Sequence, residues 1–322
     1  MQIGSTVARS QGIALVVVAA ALWATVGVAV KLVPAAASLP PEVLGLARTL
    51  LAGPLVLLAA GRGLGGLGQV IRTCDRFQLF AFALSGVVFQ ILLFRCFDLL
   101  GVTLTVVLTV CLPPVIALLW SFAHGVAFGR GTLVALALAI AGLSLCALAR
   151  GIDAPGDERL LGLVLAGLAA LAFVVMTAAA RRLTLKAPPR LIAGLGLTLS
   201  GLIFCAILPL LPGVEVAEVL SIGRDPQLVL LVLYLAVFPT ALAYVCYCTG
   251  MARCSSTTGG LTASMIEPAV AAGLAFWFLQ EVPSRGETVG SLLLILAITV
   301  LIKAETIGQG AGKGSGNAGA IG

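Results

Sequence analysis

Ten stretches of about twenty consecutive apolar residues dominate this 322-residue chain and leave it few possible folds. They cover residues 11–33, 42–60, 77–97, 102–123, 131–149, 160–180, 190–211, 227–249, 258–280 and 287–303. In hydrocarbon a helix satisfies its own backbone polar groups, so runs of this length suit bilayer-crossing helices. A transmembrane β-barrel would need alternating residues, and these runs are continuous. The connectors are too short for a soluble domain. Composition agrees: 60% of residues are hydrophobic and 10% charged, whereas a soluble domain carries roughly a quarter charged residues. The expected fold class is an all-α membrane protein with ten transmembrane helices.

The ends of the chain read differently. The first run exceeds the length of a signal peptide core, and Trp23 and Lys31 stand where a small-residue cleavage site belongs, so it is kept as a span. The tail "GQGAGKGSGNAGAIG" (308–322) has nothing to bury and is expected to be disordered.

Charge sets the expected orientation. With the N-terminus inside, the inner segments hold twelve of the nineteen Lys and Arg residues: Arg9, Arg62, Arg72, Arg76, Arg130, Arg181, Arg182, Lys186, Arg190, Arg253, Lys303 and Lys313. The outer segments hold six, namely Lys31, Arg95, Arg150, Arg159, Arg224 and Arg285, while Arg48 lies within the second span. A two-to-one bias over short loops places both termini in the cytoplasm. The net charge of +6 is thus a membrane-orientation signal and gives no reason to invoke nucleic acid. The cysteines fall mainly inside the spans (Cys96, Cys111, Cys146, Cys205, Cys246 and Cys248), with spacing that fits neither a zinc site nor a disulfide framework.

The chain also repeats itself. "QGIALVVVAAALWATVGVAVKL" (11–32) aligns with "LGLVLAGLAALAFVVMTAAARRL" (161–183) at a shift of 150, placing Gly12 on Gly162, Trp23 on Phe173 and Lys31 on Arg181. "TVVLTVCLPPVIALLW" (105–120) aligns with "GGLTASMIEPAVAAGLAF" (259–276) at a shift of 154, which puts Pro114 on Pro268. Five spans per copy is an odd number, so the second copy enters the membrane from the opposite side. The expectation is two inverted five-helix repeats, 11–149 and 160–303. Such repeats are characteristic of secondary transporters, whose sites lie near the midplane.

Three segments carry a family resemblance: "ALWATVGVAVK" (21–31), "LARTLLAGPLVLL" (46–58) and "AYVCYCTGMARCSSTTGGLTASMIEPAVAAGLAFWFLQEVPSRGETVGSLLLILAITVLI" (243–302). On these the chain resembles an EamA-type member of the drug/metabolite transporter superfamily over residues 11–303. The resemblance implies ten helices in two inverted bundles, a bacterial inner-membrane location and export of amino acids or related metabolites. Two departures stand out. The first-half exit "SFAHGVAFGRG" (121–131) lacks an acid that the family often has there. The fourth span offers "VLTVCLPPVIA" where aromatic amino-acid exporters of the superfamily place extra rings, so an aromatic substrate does not follow.

Two ionisable residues fall inside spans, where a charge costs about 2.5 kcal/mol or more and so normally faces a cavity or a partner. Glu267 lies about ten residues into its span, or about 15 Å along the axis, close to the midplane. Pro268 lacks an N–H and frees a carbonyl one turn earlier, while Pro113 and Pro114 do the same in the fourth span without an acid. These three prolines are the candidate kink or gating positions. Glu267 reads either as a substrate or proton site, or as a protonated group tying helices together. Arg48 reads as a snorkelling side chain, as a binder of a substrate carboxylate or as a gate of the outer vestibule, and its depth differs from that of Glu267 by several turns, so a direct pair is not expected. Gln90 and Tyr244 coincide at the shift of 154 and suit facing positions in a cavity. Tyr247, Thr109, Thr262 and Ser264 extend the polar set, although each hydroxyl alone more often bonds its own helix. Trp23 and Phe173 form a pair that lines the site, plugs it, or simply packs.

The leading expectation is a secondary transporter exporting amino acids by alternating access. The partners are a small-molecule substrate and the lipid bilayer, with energy from the substrate's own gradient or from protons, and the unit is a monomer or homodimer. Efflux of drugs or other metabolites and a channel-like facilitator are the alternatives. No Walker motif is present, so ATP is not the direct source, and no cofactor is called for. His124 is the only histidine, too few for a multi-histidine metal centre or the usual intramembrane enzymes.

Overall fold

The computed structural model describes residues 3–60, 67–125, 129–149, 159–211, 213–254, 256–280 and 284–307, and all of their regular structure is helical. The helices are α1 (Ile3–Lys31), α2 (Pro41–Ala59), α3 (Leu67–Thr73), α4 (Arg76–Ala123), α5 (Arg130–Ala149), α6 (Arg159–Thr184), α7 (Pro189–Ile207), α8 (Val216–Ser221), α9 (Pro226–Ala236), α10 (Ala243–Arg253), α11 (Thr257–Ser264), α12 (Glu267–Leu279) and α13 (Arg285–Ile307). A π-helical turn, Val237–Leu242, joins α9 to α10. The tail at 308–322 lies outside the described residues.

Seven stretches are long and apolar enough to cross a membrane: Arg9–Lys31, Pro41–Ala59, Arg76–Leu100, Leu160–Thr184, Pro189–Leu210, Pro226–Arg253 and Thr257–Leu279. The other three expected spans are present as shorter apolar helices, Leu108–Ala123, Arg130–Leu145 and Thr288–Ala304. Helix starts follow local chemistry. The Asp75 carboxylate accepts from the Phe77 and Gln78 amides at 3.0 and 3.1 Å to cap α4, and Asp225 accepts from Gln227 at 2.8 Å to cap α9. Pro41, Pro189 and Pro226 stand in the first turn, where a missing N–H costs nothing.

Three details depart from the expected spans. A short extra helix, α3, lies between the second and third spans. The third and fourth spans have no loop between them, since α4 runs helically from Arg76 to Ala123. It is nevertheless not a rod. The Thr105 hydroxyl donates to the Cys96 carbonyl at 2.8 Å, whereas nine residues of straight helix would separate them by about 13 Å. The chain therefore doubles back between these residues. Finally, the ninth span is broken into α11 and α12.

The packing pairs the two halves of the chain. α2 lies on α7, α5 on α13, α4 on α6, and α1 on α10, α11 and α12. Two of these seams are too close for side chains: a methyl group on Gly53 would sit 2.4 Å from the Thr198 nitrogen, and one on Gly142 would sit 2.7 Å from the Gly290 carbonyl. A matching pair of contacts involves residues aligned by the sequence shifts. Gly250 of α10 presses on the Gly12 carbonyl, 2.7 Å from where its methyl would be. At the aligned positions, the Cys96 thiol donates to the Gly162 carbonyl at 3.7 Å. The described cysteines 74, 96, 205, 246, 248 and 254 are free thiols.

Candidate functional site

The interruption of the ninth span is the local feature that creates a site. α11 ends at Ser264, Met265 and Ile266 form a turn, and α12 begins at Glu267. Pro268 explains the break, because it has no N–H to give the Ser264 carbonyl one turn back. The next amide, Ala269, bonds Ile266 at 3.0 Å, three residues back, so the Met265 carbonyl loses its usual donor as well. Two carbonyls are thereby released at membrane depth. Glu267 stands in the first turn of α12, where the unsatisfied amides and helix dipole favour negative charge. The kink expected at Pro268 takes the form of a two-residue interruption whose backbone stays in the right-handed helical region. Irregular backbone at this depth needs protein or a cavity around it.

Opposite charge faces this acid from α2. Arg48 Nη2 donates to Gln90 Oε1 of α4 at 3.0 Å. Its charge interacts with both the Tyr244 phenol and the Glu267 carboxyl, and Arg48, Tyr244 and Glu267 are all half-buried. Among the described residues, no ion pair within 4.0 Å joins Arg48 to Glu267. Counting residues along upright helices separated the two by several turns. The structure brings them within electrostatic reach, because depth is set by how helices pack and tilt rather than by sequence position.

An aromatic wall adjoins these groups. The Trp23 ring lies 5.1 Å from Tyr247, 5.7 Å from Tyr244 and 6.3 Å from Phe173, the last two edge to face. Phe173 in turn sits 5.0 Å from Phe89. Trp23, Phe173 and Tyr244 are partly accessible although three helices enclose them. Tyr247 differs. It is fully buried, and its hydroxyl shares a 2.6 Å hydrogen bond with Thr177.

The remaining expected site residues do not join this group through side-chain bonds. Thr109 donates to Thr105 at 2.8 Å, Thr262 to Thr258 at 2.9 Å and Ser264 to Leu261 at 2.7 Å, each a carbonyl of its own helix. Pro113 and Pro114 are buried inside α4, which stays helical through them. Sequence reasoning missed Thr177, Phe89 and Met176, whose sulfur lies 3.9 Å from the Tyr244 hydroxyl. Thr177 had a legible signal, since it stands one helical turn after Phe173 on α6.

A carboxylate, a guanidinium, an amide, a phenol and freed carbonyls beside aromatic rings can recognise a small molecule bearing charges of both signs. Among the described residues, no group of three or more His, Cys, Asp or Glu could hold a metal ion. The molecule is a multi-pass helical membrane protein with a cluster of half-buried polar groups at a broken helix. The family profile of EamA-like transporters matches it twice, over residues 10–148 and 160–303, and the chain belongs to that family. It is accordingly a membrane transporter of small molecules rather than an enzyme. A solved crystal structure superposes with a TM-score of 0.75, covering 91% of this chain and 96% of the other at 19% identity, which is a likeness of fold. No curated protein matches the sequence.

Proposed function

We propose that this transporter exports small zwitterionic metabolites, foremost amino acids, across a bacterial inner membrane by alternating access. In this reading residues 11–149 and 160–303 are inverted five-helix repeats with both termini in the cytoplasm. The pairing of α2 with α7 and α5 with α13 supports a twofold relation, because counterpart helices meet only near a symmetry axis. The observation that carries the substrate reading is the placement of Arg48 and Glu267, opposite in sign when ionised and half-buried, within electrostatic reach of each other without pairing directly. Arg48 would take the substrate carboxylate with Gln90 aligning its planar fork. Glu267 and the carbonyls of Ser264 and Met265 would take the ammonium. Trp23, Phe173 and Tyr244 would enclose the apolar part.

Reconstituted protein and labelled amino acids test this directly. Saturable efflux is expected, and flux that rises linearly with concentration would indicate a channel instead. Arg48→Lys keeps the charge and loses the bidentate geometry, so the half-saturating concentration for carboxylate substrates should rise about tenfold; unchanged affinity removes Arg48 from the site. Glu267→Gln should abolish export driven by a pH gradient and, because it removes the charge facing the ammonium, should also raise the half-saturating concentration for substrate exchange without abolishing it. Undiminished pH-driven export by that variant would show that protons are not coupled through Glu267.

A further inference from the structure

We infer that the end of the molecule carrying α3 is a docking surface for anionic phospholipid headgroups. Five cations are exposed there: Arg72 and Arg76 around the α3–α4 junction, and Arg182, Lys186 and Arg190 around the α6–α7 junction. The two junctions are brought together by one apolar cluster, in which Val70 of α3 packs with Leu183, Leu191 and Ile192, and with Leu67, Cys74 and Ala187 partly buried beside them. Every one of the five cations is thus a near neighbour in sequence of a residue in that shared cluster. The one acid within these two stretches, Asp75, already accepts the Phe77 and Gln78 amides as the α4 cap.

Helix stabilisation does not account for this placement. Arg72 and Arg182 stand in the last turns of α3 and α6, where a cation suits the helix dipole. Arg76 and Arg190, however, stand in the first turns of α4 and α7, where a cation opposes it. The fold does not require them either. α2 and α7 both begin with proline and then a charged residue, but that residue is Glu42 in α2 and Arg190 in α7. Glu42 is buried 3.9 Å from Arg95, whereas Arg190 is exposed.

The apolar side chains of the same region point to a lipid surface rather than to a soluble anion. Ile71, Phe77 and Leu185 are exposed at 46%, 74% and 60%, interleaved in sequence with the cations. Exposed apolar groups among Lys and Arg suit the boundary between headgroups and acyl chains, where phosphates lie within reach of the cations.

The test uses the purified full chain in nonionic detergent, titrated separately with phosphatidylglycerol and phosphatidylcholine, with bound lipid counted by native mass spectrometry. Phosphatidylglycerol should bind at least about tenfold more tightly than phosphatidylcholine, and added salt should weaken it. The triple variant R182Q/K186Q/R190Q should lose most of that preference. The variant R224Q/R285Q, which removes exposed cations elsewhere, should keep it, and R182K/R190K should keep it as well. Because the protein is already folded and purified, cations that act only in orienting the chain during insertion leave these readings unmoved. Equal binding of the two lipids, or a triple variant that binds phosphatidylglycerol as the parent does, overturns the inference.

Discussion

The fourth and ninth apolar segments are built from aligned sequence yet end up with different backbones. Both carry a proline at the aligned position, Pro114 in one and Pro268 in the other. The fourth stays helical across Pro113 and Pro114, both buried. The ninth stops at Ser264 and restarts at Glu267. Proline alone therefore does not dictate a break. What differs is the neighbouring residue: at the position aligned with Pro113, the ninth segment has a carboxylate, which gains from standing at a new helix start. A comparable contrast separates the third and eighth segments. In the eighth, Pro239 cannot donate to the Leu235 carbonyl, the helix widens into a π-turn, and the Thr240 hydroxyl takes that carbonyl at 2.7 Å. In the third, the aligned residue is Ser85, whose hydroxyl donates to the Ala81 carbonyl within an unbroken α-helix. At these aligned positions the first half keeps regular helix, its own irregularity being the fold-back between Cys96 and Thr105, whereas the second half is irregular close to Tyr244 and Glu267.

The largest expected effect comes from erasing that difference. Pro268→Ala restores an N–H, lets α11 and α12 join, and draws the Ser264 and Met265 carbonyls back into the helical ladder. Transport in proteoliposomes should fall at least about tenfold, the equivalent of one good polar contact. Thermal stability in detergent should hold or rise. Pro114→Ala, by contrast, alters a helix that is already continuous, and transport should remain within about twofold. Equal losses in the two variants would mean that the break contributes no binding groups.

An intermediate effect is expected at the π-turn. Thr240→Val keeps the shape of the side chain and strands the Leu235 carbonyl in a buried setting. Interhelical and backbone polar contacts in membranes average about 0.6 kcal/mol and reach about 1.7, so a fall of a few degrees in the thermal midpoint should follow. Ser85→Ala leaves its carbonyl in an intact helix, and its midpoint should barely move. If both variants shift equally, Thr240 is not compensating for Pro239.

Much of this was legible in the sequence, and the rest was hidden for identifiable reasons. Ten apolar runs announce ten helices because a backbone in lipid is satisfied only in helices or closed barrels, and barrels need alternating residues. Glu267 announced itself by its cost. The reversal between the third and fourth spans was legible as the gap between residues 97 and 102, but that it is made without a loop was not, since residues 97–104 contain no Pro and only one Gly, Gly101. The break before Glu267 was read as a kink, because proline chemistry says which bond is lost but not how the flanking carbonyls respond. That Arg48 and Glu267 do not pair directly was legible, but counting residues along upright helices hid that the two lie within electrostatic reach of each other. Tyr247 illustrates a further limit: it follows Tyr244 by three residues on one helix, yet one ring stays partly open and the other is sealed against Thr177.

The smallest expected effect tests where the two segments remain alike. Thr109 of α4 and Thr262 of α11 each donate to the carbonyl four residues back, at 2.8 and 2.9 Å, and both are buried. That carbonyl already accepts an amide in a regular helix, so the hydroxyl bond is a second, weaker claim on it. Thr→Val at either position keeps the volume and leaves no donor behind, since the hydroxyl proton leaves with the oxygen. Stability should change by less than about 0.5 kcal/mol in both, and transport by less than about twofold. A loss of substrate affinity on Thr262→Val but not on Thr109→Val would show that the α11 hydroxyl turns from its own helix toward substrate during the cycle, and the contrast between the two halves would then extend beyond the proline to the segment that precedes it.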